Sequence, residues 1–199
     1  ALLSSPDYAD YFANKWTSLL KNSRSDNADI TANFAFHAWM RDSLLANTPY
    51  DQIVRQVLAS TGTIVSNPPV AWYKRVTELN QQLEDVAQLF LGVRMQCAQC
   101  HHHPFERWSQ NDYYGLAAFF SQVGRKPTAT RGEDLIFHKR GVAGAKNMRT
   151  GLLVKPSALG DAIPEISPDE DPRLSLAEWM SGPKNPFFAK ALVNRYWKH

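Results

Sequence analysis

The chain's only two cysteines stand three residues apart and run straight into a histidine, in the order Cys97-Ala98-Gln99-Cys100-His101. A disulfide framework needs several well-separated pairs, so nothing covalent ties distant parts of this chain together. The fold must come from burying apolar side chains, and the composition permits it. Of 199 residues, 44% are hydrophobic and 12% aromatic, values that belong to a globular chain and exclude global disorder. That length closes a real core, as one domain or two small ones. Lys and Arg number 22 against 19 Asp and Glu, a formal charge of +3. So small a surplus gives no footprint for nucleic acid or an anionic membrane.

No apolar run nears the roughly 20 residues that span a bilayer, so no transmembrane segment is expected. There is no initiator Met and no secretory leader, and the chain stops inside a helical pattern. It therefore reads as a piece of a longer protein, cut at both ends, with contacts to missing flanking domains expected. The absent leader then says little about compartment.

Apolar periodicity predicts a mainly α chain. Ser5-Pro6 reads as an N-cap with Pro at the first helical position, ahead of Tyr8, Phe12, Trp16 and Leu19-Leu20 at helical spacing. The polar break Asn22–Asn27 ends that helix, and a second is expected from Thr31 to Ala46. A third starts at Thr48-Pro49-Tyr50-Asp51 and stops at Gly62. A bent fourth region ends at Gly92, with Val86, Leu89, Phe90 and Val93 as its apolar face. Another helix is expected from about Asn111 to Phe120. From Gly124 to Pro168 Gly, Pro, Lys and Arg become frequent, which predicts irregular structure and a small hairpin after the cysteine motif, around Leu135–His138 and Leu152–Val154. Capped helices return at Asp171–Met180 and from Asn185-Pro186 to His199. The expected organisation is a helical domain over 1–123, an irregular β region over 124–170, and helices of a further domain over 171–199.

Cys97-x-x-Cys100-His101 is the pattern of covalent c-type haem attachment. Two thiols one turn apart can form thioethers to the two vinyl groups on one porphyrin edge, and the next residue's imidazole then reaches the iron as proximal ligand. Two other chemistries use the same residues. Cys97 and Cys100 could be a redox dithiol, although those belong to a βαβ setting and this surround is helical. With His101 and His103 they also make a nitrogen and sulfur donor set suited to a zinc or iron ion, structural or within an exported enzyme. A third class, a helical interaction module with the motif serving only local folding, also stays open.

On the far side of an iron, His37 is the candidate sixth ligand, since it shares a helix with Phe34, Phe36, Trp39 and Met40. A half-buried structural histidine on an aromatic helix is the commoner reading of such a residue, and a sixth position left open or filled by water is an equal alternative. His138 and Met148 are poorer candidates, and Met95 and His102 are too near His101 in sequence to reach the opposite face. His103 either supports the site, by bonding a haem propionate or ordering the loop, or lies in a solvated turn fixed by Pro104; Arg94, Arg107 and Lys139-Arg140 are further propionate candidates or simply exposed charges. Trp108, Tyr113, Tyr114, Phe119 and Phe120 could pack on a macrocycle or form ordinary core. No GxGxxG, Walker A, GxSxG or HExxH motif is present, and nothing names a substrate or an enzymatic activity.

The stretch Cys97–Phe105, continued by Trp108 and Asp112–Phe120, resembles the planctomycete cytochrome-type domain of unknown function. Phe90–Val93, Asn47–Asp51 and the opening Leu2–Tyr8 fit the same pattern. Asn185–Ala189 with Val193–Trp197 resembles the start of that domain's usual C-terminal companion. The resemblance implies a mostly helical, exported domain of the periplasm or cell surface, carrying haem c on Cys97 and Cys100 with His101 as proximal ligand. The family carries no assigned biochemical function; from the motif itself, a mono-haem module exchanging electrons with another exported redox protein is the first expectation. His103 matches the family's second histidine, whereas His102 stands where relatives commonly carry an acidic residue or Asn.

Overall fold

The structure is a computed structural model that describes residues 3, 5–24, 27–161, 163 and 165–197. Ser25 and Asp26 of the expected polar break, Leu2 and Ser4 of the opening, and Lys198 and His199 of the last expected helix lie outside the described residues. The chain is mainly helical with two small strand pairs, in two compact units. The first comprises 1–76 and 124–138, the second 77–123 and 139–199.

In the first unit α1 (Pro6–Leu19) begins as its sequence dictates. The Ser5 hydroxyl accepts from Tyr8 N at 3.2 Å, Pro6 occupies the first turn, and Asp7 meets the positive end of the helix dipole. Lys21 (φ 58°) turns the chain out. The face α1 buries is Ala9, Ala13, Trp16, Thr17 and Leu20, one step round from the expected stripe, with Tyr8 and Phe12 only half-buried at its edge. Small Ala9 and Ala13 let α2 (Ile30–Leu45) pack close, and α2 answers with Ala32, Phe36 and Met40. Asp29, just before α2, is buried and pairs with Lys74 at 2.9 Å and with Arg75. Both cations sit on the short helix α4 (Ala71–Arg75), which buries Trp72 and Tyr73 completely. Helix α3 (Tyr50–Leu58) buries Ile53, Val54, Val57 and Leu58, and the Tyr73 hydroxyl donates to Leu58 O.

Two strands, β1 (Val123–Pro127) and β2 (Asp134–His138), pair beside these helices. Gly62 and Ile136 exchange backbone hydrogen bonds of 2.7 and 2.9 Å, so the glycine expected to stop α3 also docks β2. Arg125 pairs with Asp134 at 3.0 Å and donates to Tyr73 O.

The second unit is built round α6 (Gln110–Ala118), in which Tyr113, Tyr114, Leu116, Ala117 and Ala118 are all buried. Ser109 and Asp112 close a reciprocal capping box at its start. Helix α5 (Leu79–Val86) packs on α6 and continues into a π-helical turn, Ala87–Leu91, ended by Gly92 in the left-handed region at φ 69°. This is the bend anticipated for the fourth helical region. Helix α8 (Phe188–Trp197) covers that turn. A Cβ on Gly92 would lie 3.5 Å from that of Ala191, and Arg195 donates to Leu89 O at 2.9 Å. The second strand pair, β3 (Ala145–Lys146) with β4 (Leu153–Val154), is antiparallel with Ala145 opposite Val154. Helix α7 (Pro172–Ser181) starts on Asp171, which accepts from Arg173 N and binds the buried Arg173 guanidinium at 2.6 Å. No described helix is long and apolar enough to cross a membrane.

Candidate functional site

The segment that follows Gly92 carries the cysteines. Residues Gln96–Gln99 form a single 3₁₀ turn, and its inward side is apolar, with Met95 1% and Ala98 0% exposed. Burying Met95 and Ala98 leaves Cys97 and Cys100 on the outward side, where both thiols are free and exposed. The turn is clamped from α6. Gln110 donates its amide to Gln99 O at 3.0 Å, and the Tyr114 hydroxyl reaches the same carbonyl at 3.4 Å. Cys97 O accepts from both Cys100 N and His101 N at 3.4 Å, so the backbone carries the turn as far as the histidine. Two thiols and an imidazole are thus presented to solvent from a scaffold anchored in the core.

The two informative histidines differ in which ring nitrogen is committed. His101 Nδ1 lies 2.6 Å from His102 O. A carbonyl only accepts, so the hydrogen is on Nδ1 and the neutral ring keeps a bare lone pair on Nε2. His103 is the reverse. Its Nδ1 accepts from Phe105 N at 3.3 Å and Glu106 N at 3.0 Å, so its neutral ring carries hydrogen on Nε2. His103 N also donates to Trp108 O at 2.9 Å, and Trp108 Nε1 donates to Glu106 Oε2 at 2.8 Å. His103 therefore holds the His103–Trp108 loop closed. Phe105 stands at the loop's tip, 93% exposed, and Arg107 lies over the Trp108 ring at 4.9 Å.

Behind the turn, Tyr113 is fully buried and its hydroxyl donates to Glu84 Oε1 at 2.8 Å. Burial first, then this hydrogen bond and the nearby Glu84 charge, push the phenol well above its ordinary range. The pair joins α5 to α6 directly beneath the motif. With its members 29 positions apart, no local spacing signals it. The Gln110–Gln99 clamp was equally invisible, since a helix-start glutamine looks like any solvated one.

The remaining candidates fall elsewhere. His37 belongs to the first unit, half-buried on α2, and its Nε2 meets Asn14 Oδ1 at 3.1 Å. His138 ends β2 in the same unit and keeps a buried Nε2 with no hydrogen-bond partner. Met148 is 76% exposed beyond β3. Trp108, Tyr113, Tyr114, Phe119 and Phe120 are all buried, which assigns them to the core. Arg94 and Arg107 are exposed, and Arg140 faces Asp169 at 3.6 Å. Among the described residues no three of His, Cys, Asp or Glu gather as a set able to hold an ion, so Cys97, Cys100, His101 and His103 do not form a ready chelate.

The family model for PSCyt2, described as a protein of unknown function (DUF1549), matches residues 1–125, more than half of the chain. No curated protein matches, and no solved structure matches.

Proposed function

The chain belongs to the PSCyt2 family, and we propose that its second unit is a mono-haem c-type module that passes electrons within a larger exported protein. One observation carries this reading: the His101 ring directs its hydrogen to a backbone carbonyl and leaves Nε2 bare. Iron-ligating histidines are oriented in this way, with the second ring nitrogen bonded to a carbonyl that sets the tautomer and raises the basicity of the first. The exposure of both thiols supports the same reading, because attachment needs sulfur atoms a porphyrin edge can reach. Cys97 and Cys100 would hold the haem through thioethers to its two vinyl groups, additions that would retain both thiol hydrogens and need no external oxidant. When bound, haem supplies a one-electron couple at its iron. The chain's share is to hold Cys97, Cys100 and His101 on a turn pinned by Met95 and Ala98. The exposed Arg94 and Arg107 place positive charge beside the motif for the propionates. Such chemistry belongs to the periplasm or cell surface, where an exported redox protein is the partner.

Export of the protein through the c-type maturation machinery tests this. A Soret band that stays with the polypeptide through acid–acetone extraction, and a mass raised by one haem, are expected. Cys97→Ala combined with Cys100→Ala abolishes retention, and His101→Ala cuts it severely. An exported polypeptide of unmodified mass, colourless and carrying stoichiometric zinc or iron, would overturn the haem reading in favour of an ion bound by Cys97, Cys100, His101 and His103.

A further inference from the structure

The first unit holds a groove of about 440 Å³ between α1 and α2, a size that suits a small ligand. Among the described residues its lining includes no Asp, Glu, Lys or Arg. Most of the described side chains along it end in an amide or a hydroxyl, carbon surface lies between those groups, and Phe34 lines it with 74% of its surface exposed. A large exposed ring on a helix otherwise packed through Phe36 and Met40 has no part in the core.

The hydrogen-bonding inventory narrows the ligand. Asn22 and Asn33 are locked to each other, Asn33 Nδ2 donating to Asn22 Oδ1 at 2.6 Å and Asn22 Nδ2 to Asn33 O at 3.1 Å. They make a rigid polar floor. In the Asn14–His37 pair, His37 Nε2–H donates to Asn14 Oδ1, which leaves an amide donor on Asn14 and an imidazole acceptor on His37. Ser18 and Ser23 add hydroxyls, which both donate and accept. An ion entering this groove would lose hydration and meet no charged side chain in its described lining, since Arg75, which donates to Ser23 O, is already paired with Asp29. An apolar ligand would leave the amides unpaired, at a cost for each. A neutral polyhydroxylated ligand meets neither penalty, because every hydroxyl it brings is also donor and acceptor. Its positively polarised C–H face has a matching surface in the electron-rich ring of Phe34.

We propose that this groove binds a neutral saccharide, with Phe34 as stacking platform and Asn14, His37, Ser18 and Ser23 as hydroxyl partners. The site is independent of the haem reading and uses none of its residues. Titration of the full chain with cellobiose, maltose and lactose, followed by amide chemical shifts, tests it. At least one is expected to shift α1 and α2 resonances with a dissociation constant of about 1 mM or below. The free monosaccharides bind more weakly if the natural ligand is an oligosaccharide chain. Phe34→Ala weakens binding about tenfold or more, and so does Ser18→Trp, which fills the groove from an exposed position. Both positions are exposed, so the circular dichroism spectrum stays unchanged. No shift with any of the three sugars up to about 10 mM, tighter binding of a glucuronide than of its neutral counterpart, or shifts that survive both substitutions would each overturn the proposal.

Discussion

At the scale of single residues, the stretch Cys97–Trp108 divides its histidines by hydrogen bonding, not by position. His101 spends Nδ1–H on a carbonyl, and His103 uses the same atom as an acceptor for two amides. Identical side chains two places apart thereby differ, one keeping a bare Nε2 lone pair and the other fastening a loop. The Tyr113–Glu84 bond beneath them has a measurable consequence. The phenol is held protonated by burial and by Glu84, whereas in the unfolded chain it ionises near pH ~10. Above that pH the unfolded state binds fewer protons than the folded one, so stability falls as pH rises. Urea unfolding from about pH 9 to 11 should show the wild type losing up to about 1.4 kcal/mol per pH unit more than Tyr113→Phe. Near neutrality the same substitution costs about 1 kcal/mol, the worth of a hydrogen bond. Parallel pH curves for the two proteins would refute the assignment. Of this stretch, the two cysteines and His101 stood out in the sequence by their spacing alone, and the structure leaves both thiols exposed. The tyrosine, Glu84 and Gln110 did not stand out, because their roles arise only when α5 and α6 meet.

At the scale of elements, helix boundaries were readable wherever capping chemistry wrote them. Ser5-Pro6 and Asp171-Pro172 both cap as their side chains require. Phe34 and Leu45, both apolar residues of α2, are 74% and 43% exposed; a helix apolar on several sides does not announce which side its neighbour takes. Strand β2 was anticipated at Leu135–His138, but its partner β1 was not. Gly124 and Pro127 are poor strand residues, and the reason for the glycine is visible only in the pairing. A Cβ at Gly124 would stand 2.5–2.8 Å from ring atoms of Phe137. Gly124→Ala is therefore expected to destabilise the protein by about 1–3 kcal/mol through overpacking, despite the entropy it removes from the unfolded chain. Adding Phe137→Leu should recover part of that loss. Thermal melts of the single and double variants read both effects, and a single variant as stable as the wild type would refute the ring contact.

At the scale of the whole molecule, the two compact units are interleaved along the chain. The polypeptide leaves the first unit after Val76, builds half of the second, returns for 124–138, and then completes the second. Composition along the chain shows where character changes but not which distant segments share a core. The family match ends at residue 125, and a chain stopped there would contain the whole Cys97–His101 motif. It would lack Ile136, 2% exposed, whose two backbone bonds with Gly62 hold β2 to the first unit. It would also lack Asp134, the ion-pair partner of Arg125. The second unit would lose Leu159, Leu176 and Met180, each no more than 2% exposed, together with the cover that α8 gives the π-helical turn. Side chains buried that completely contribute about 1.5–3 kcal/mol each, against a total stability of about 5–15 kcal/mol for a domain. A 1–125 fragment is accordingly expected to keep much of its helical circular dichroism yet lose its cooperative melt and bind a hydrophobic dye, as compact states without fixed packing do. A sharp thermal transition for 1–125, matching that of the full chain, would show that each unit's core closes without its returning segment.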